Sequence, residues 1–209
     1  GYSAEKTSLL DEARAFLDLG ASLLLVDFRG SGGSSESYTT VGVHEAEDVA
    51  AAIRDARERL SHGNVFLFAR SMGAAAILRA GHAHAVQPDG VMLEAVFDTL
   101  FNTVGHRFRA MQVPAFPSAE LLVFWGGGQW GFGGFEHNPS DYAASLDCPT
   151  LLMHGARDPR VSLTEARRMF EVIPGTKEFV TFERSGHDSY FSKNASQWRT
   201  AVERFIKRT

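Results

Sequence analysis

Three side chains have the types and the order that acyl-transfer chemistry needs, and each follows a short apolar run. Ser71 stands in "NVFLFARSMGAAAIL", where an apolar run meets Arg70-Ser71-Met72-Gly73 and an alanine-rich run begins at once. A nucleophilic serine on a sharp strand-to-helix turn needs small residues two before and two after it, because the backbone packs too closely there for larger side chains. Ala69 and Gly73 supply them, although the usual first residue is glycine and Ala69 adds one methyl. The same placement suits a serine that only caps a helix, so the local pattern leaves both readings open. A serine hydroxyl also needs a base, and the base an orienting acid. "PTLLMHGARDPRV" sets Asp158 a few residues beyond an apolar run, and "TFERSGHDSYF" sets His187 after the next one.

Other candidates carry less. Glu94 and Asp98 follow a third apolar run and are rival acids, but the motif around Asp158 favours Asp158. His154 lies within the acid's own segment and reads as a packing or hydrogen-bonding residue. His82 and His84 sit at a helix end without a third ligand, and "HEAED" at His44 lacks the second histidine of a zinc-protease helix, so no metal is expected. "GSGGSS" has neither the Gly-Lys-Ser/Thr ending of a phosphate loop nor the third glycine of a dinucleotide fingerprint. It reads as a turn pinned by Asp27 and Arg29, and no cofactor is expected.

The elements that must position these groups alternate. Residues 4–19 predict an amphipathic helix closed by Gly20, "SLLLVDF" a buried strand, and residues 41–60 a helix with one solvated face. "NVFLFA" predicts a strand, residues 71–80 a helix, "GVMLEAV" and "PTLLMHG" two more strands, residues 163–172 a helix, "KEFVTFE" a strand and residues 196–207 the last helix. Short apolar strands alternating with helices imply an α/β fold, a mostly parallel sheet with helices on both faces. Residues 100–141 break the pattern with eight Phe and Trp residues and the run "WGGGQWGFGGF", a composition suited to an inserted, mobile cap rather than a regular element. The core is then expected over residues 1–99 and 142–209.

The combination of "DFRGSGGSS", "ARSMGA", "HGARDPRV" and "SGHDSYF" resembles the α/β-hydrolase serine hydrolases, in their esterase, monoglyceride-lipase and serine-aminopeptidase-like branch. The resemblance spans nearly the whole chain except the cap, and the chain order Ser, Asp, His matches that family. It implies Ser71 as nucleophile, His187 as base and Asp158 as orienting acid. Many members carry His-Gly-X after their third strand, so Gly1-Tyr2 would end that motif. The backbone N–H groups of Tyr2 and Met72 would then form the oxyanion hole. The implied function is cleavage of carboxylic esters in a small-molecule ester or acyl substrate. A peptidase, thioesterase or acyltransferase would use the same triad, and a non-catalytic binding domain or inactive fragment is the rival class. Serine rather than aspartate at the turn argues against dehalogenase and epoxide-hydrolase chemistry.

Composition narrows the partners. The 209 residues are 44% hydrophobic and 22% charged, which suits one globular domain with a sizeable core. A net charge of −4 without a basic stripe argues against nucleic acid. No apolar run approaches the roughly 20 residues of a membrane span. The lone Cys148 is compatible with a reducing, cytoplasmic compartment, while the opening on Gly1 leaves room for an upstream segment, a signal peptide included. A parallel crossover needs a strand before its helix, and none precedes residue 4. In the family this chain resembles, that strand lies between "SLLLVDF" and "NVFLFA", so an N-terminal extension of several tens of residues, ending in a histidine, is expected.

Overall fold

The computed structural model describes residues 1–2, 4–60 and 62–209. Four strands, β1 (Phe66–Arg70), β2 (Gly90–Glu94), β3 (Thr150–Gly155) and β4 (Lys177–Phe182), form one parallel sheet in the order β1-β2-β3-β4. β1 and β2 run in register from Phe66 opposite Gly90 to Arg70 opposite Glu94. The described helices are α1 (Leu10–Asp18), α2 (Glu45–Arg59), α3 (Met72–His84), α4 (Leu100–Ala110), α5 (Ser118–Gln129), α6 (Pro139–Ala143), α7 (Leu163–Val172) and α8 (Tyr190–Arg208), with short 3-10 turns at Lys6–Leu9 and Gly134–Glu136.

Side chains alternate across the sheet, as the pleat requires. Val91, Leu93 and Leu152 face a core shared with α2, α3, α6 and α7, where Ala46, Ala75, Leu78, Ala143 and Met169 are buried. Met92, Leu151 and Met153 face the opposite core, made with α1 and α8 by Phe16, Trp198, Val202 and Phe205. Helices therefore cover both faces, which is why β2 and β3 are buried throughout. Gly20 ends α1 at φ 84°, the left-handed position expected of a glycine there.

Three expectations are corrected. "SLLLVDF" joins no sheet: residues 21–28 form no ladder, and Leu23, Leu24, Leu25 and Val26 are each more than a third exposed. Apolar side chains alone do not make a strand; the ladder needs a neighbour, and among the described residues β1 pairs only with β2. Residues 100–141 hold helices α4, α5 and α6 rather than irregular chain, because the glycines cluster at the C-terminal end of α5 and leave its "AELLVFW" stretch free to form helix. The first helix starts as a 3-10 turn, and the last starts at Tyr190 rather than residue 196, through a non-helical Asn194 (φ −140°, ψ 45°).

Candidate active site

The end of β1 positions Ser71. Its backbone sits at φ 54° and ψ −116°, a region that costs an L-residue about 1–3 kcal/mol and persists only where the surroundings enforce it. Two backbone bonds hold the turn: Ser71 N–H donates to the Glu94 carbonyl at 2.7 Å, and the Ser71 carbonyl accepts from Ala75 N–H at 3.0 Å. The turn leaves little room. A Cβ on Gly73 would meet the Ala69 methyl at 3.2 Å and the Phe28 ring at 3.3 Å, so the extra methyl of Ala69 fits only because residue 73 has none. Behind the turn, the Glu45 carboxylate accepts from the hydroxyls of Thr39 and Thr40 and the N–H groups of Thr40 and Gly42. Burial would raise that carboxyl, but these donors hold it below its ordinary range. The "HEAED" segment is thus a loop clamp pressed on α3.

Asp158 lies in the turn after β3 and His187 in the loop after β4. His187 Nδ1 is 2.7 Å from Asp158 Oδ2, and His187 Nε2 is 2.9 Å from Ser71 Oγ. With Nδ1–H donated to the carboxylate, Nε2 turns its lone pair toward the serine hydroxyl, an arrangement that can take a proton from it. The other oxygen of Asp158 accepts from the N–H groups of Arg160 (2.8 Å) and Val161 (3.1 Å). Burial alone would push this carboxyl up; His187 and the two amides outweigh it and hold it below the usual carboxylate range. The Asp158 turn docks on the His187 loop through Arg157 N–H to the Ser185 carbonyl at 3.0 Å.

The rival groups are engaged elsewhere. Glu94 accepts from Arg70 Nε and Trp198 Nε1, both at 2.7 Å. Asp98 accepts from Thr99 N–H and Asn102 Nδ2 at the start of α4. His154 Nε2 faces the Val161 carbonyl at 3.0 Å, inside the acid turn. His82 lies 2.9 Å from Ser145 Oγ and stacks on Tyr142. Asp27 and Arg29 pin their loop, Asp27 through Lys6 and Gly33 N–H, Arg29 through Asp48.

Met72 is the first residue of α3, so its N–H has no partner within the helix. Tyr2 lies in a turn with half its surface exposed and the Arg107 guanidinium 5.1 Å over its ring. Within residues 100–141, Phe101 and Phe132 pack on the core, whereas Phe116, Phe124 and Trp125 are largely exposed. His106 Nδ1, 2.7 Å from the Arg160 carbonyl, ties α4 to the acid turn.

The sequence reading did not reach the ion network beneath the serine, formed by Arg70, Glu94 and Glu12. A signal existed for part of it: opposite charges at the C-terminal ends of adjacent apolar strands, Arg70 opposite Glu94 in register.

The profile of the family described as serine aminopeptidase, S33, matches residues 1–113. Protein YqkD of Bacillus subtilis (strain 168) is 25% identical over 209 residues, covering 99% of this chain and 68% of that one. The Pyrococcus furiosus esterase Pf2001 superposes with a TM-score of 0.82 at 22% identity, over 100% of this chain and 79% of that one. A thermophilic esterase from Thermogutta terrifontis gives 0.70 at 19% identity, over 100% and 87%. These structural likenesses carry the fold, and the profile carries the family: the chain belongs to the serine aminopeptidase S33 family of α/β-hydrolases.

Proposed function

We propose that this hydrolase cleaves carboxylic esters through an acyl-enzyme intermediate on Ser71. The observation that carries the reading is the unbroken hydrogen-bond chain Ser71 Oγ, His187, Asp158. Ser71 Oγ attacks the carbonyl carbon while His187 Nε2 takes the hydroxyl proton. The backbone N–H groups of Met72 and Tyr2 hold the oxyanion. As the intermediate collapses, His187 returns the proton to the leaving alcohol. Water then attacks the acyl carbon, giving a proton to His187, and the acid departs as the proton returns to Ser71. Asp158 keeps the imidazole in the required tautomer and faces the charge that forms on it.

We also propose that residues 100–141 form a cap whose apolar side lines an acyl site, leaving residues 1–99 and 142–209 as the core. Their aromatic content and the bond between His106 and the acid turn support this. The family description favours a second reading, an aminopeptidase with the same triad. A fluorophosphonate probe combined with p-nitrophenyl esters and aminoacyl p-nitroanilides tests both. The expected result is labelling of the folded chain that disappears in Ser71→Ala, with turnover of the esters. Labelling that persists in Ser71→Ala would refute the nucleophile, and preferential turnover of the anilides would favour the second reading.

A further inference from the structure

An ion network outside the triad joins the strand that carries Ser71 to the loop that carries His187. Arg70, the residue before the serine, donates from Nε to Glu94 Oε2 at 2.7 Å and from Nη2 to Glu12 Oε1. That same Glu12 oxygen accepts from Ser189 Oγ at 2.6 Å. Ser189 follows His187 by two positions and also caps α8, accepting from Ser192 N–H at 3.2 Å. Glu94 completes the network twice over: its carbonyl takes the Ser71 N–H and its carboxylate takes Trp198 Nε1. One oxygen of Glu12, on α1, therefore bridges the two catalytic segments.

The burial of this network asks for an explanation. Glu12 and Glu94 are 1% and 0% exposed, and two carboxylates face one guanidinium. Taking such groups out of water costs several kcal/mol per ion, and well-packed apolar side chains of similar volume commonly stabilise a fold as well or better. What apolar packing does not supply is direction: bonds from one oxygen to two segments fix the distance and angle between them. We propose that Glu12 is a positioning residue, clamping the His187 loop against the Ser71 turn through Arg70 and Ser189 so that Nε2 stays within hydrogen-bond reach of Oγ. The proposal rests on Ser71 and His187 being the reacting pair.

Three substitutions at residue 12 test it beside Ser71→Ala, with kcat expressed per active site titrated by a fluorophosphonate, together with KM and Tm. Glu12→Met keeps the volume and removes both bonds; its kcat per titrated site should fall about 10- to 100-fold with KM within about twofold, as for a misplaced catalytic group. Glu12→Ala should show the same kcat loss with a lower Tm. Glu12→Gln retains an amide oxygen that can accept from both partners, and should recover most of the rate. A merely structural role would lower Tm and the fraction of titratable sites while leaving kcat per site unchanged. Wild-type kcat per titrated site in Glu12→Met, with an inactive Ser71→Ala, would overturn the clamp alone. Turnover surviving in Ser71→Ala would overturn the triad and the clamp together.

Discussion

Gly155, the last residue of β3, meets Gly186, the residue before His187, backbone to backbone. A Cβ on Gly155 would fall 2.6 Å from the Ser185 carbonyl oxygen and closer still to that of Gly186. Neither obstacle is a movable side chain, so Gly155→Ala should push the His187 loop outward. The expected result is a loss of about 1–3 kcal/mol in denaturant unfolding, as for other overpacked sites. A fall in esterase kcat of at least tenfold should accompany it, since the displaced residue is the proposed base. Unchanged stability and rate would show that the loop absorbs the methyl.

Ser71→Ala and His187→Ala should each lower kcat by about 10⁴- to 10⁶-fold, and the double variant should lose little more, because the groups act as a unit. Asp158→Asn should cost about 10⁴-fold by favouring the wrong tautomer of His187. Ser71→Gly separates strain from chemistry. At φ 54° and ψ −116° glycine relieves the backbone, so this variant should be inactive yet about 1 kcal/mol more stable in thermal unfolding. A destabilised Ser71→Gly would show that the turn is not strained.

His137 governs a stability window rather than turnover. Burial lowers its imidazole from 6.5 to about 4, and Nε2 faces the Val41 carbonyl at 3.0 Å. Between those two pH values the unfolded chain takes up a proton that the folded chain refuses. Stability contributed by the neutral ring is therefore complete above about 6.5 and lost as pH falls toward about 4, by roughly 3 kcal/mol in all. Thermal unfolding should show this decline, and His137→Asn should flatten it. An equally steep decline in the variant would assign the window to other groups.

Chain-length preference tests the cap. If residues 100–141 line an acyl site, kcat/KM for p-nitrophenyl esters should rise from acetyl to medium-chain acyl groups by roughly fourfold per methylene buried, the equivalent of about 0.8 kcal/mol each. A flat profile would remove the acyl site while leaving the triad assignment intact.

Much of the site was legible in the sequence because its signals are local. Small residues at 69 and 73 around a serine and an apolar run before each candidate residue act within a few positions of one another. Their chain order carried the family resemblance, and the alternation of apolar runs with helical segments carried the parallel sheet. The helices within residues 100–141 were masked by composition, since glycines counted as breakers fall at a helix end. Two features only the tertiary structure decided. "SLLLVDF" has the apolar content of a strand, yet strand formation depends on a partner's N–H and C=O groups, and among the described residues β1 bonds only to β2. Glu12 lies 58 positions from Arg70 and 177 from Ser189, on a helix where an acidic residue ordinarily marks the solvated face. Its burial follows from α1 packing on α8 and β1, with the Phe16 ring 5.2 Å from Trp198 and 5.4 Å from Phe68. Complementarity between groups so distant in the chain exists only once the fold has brought their donors and acceptors together.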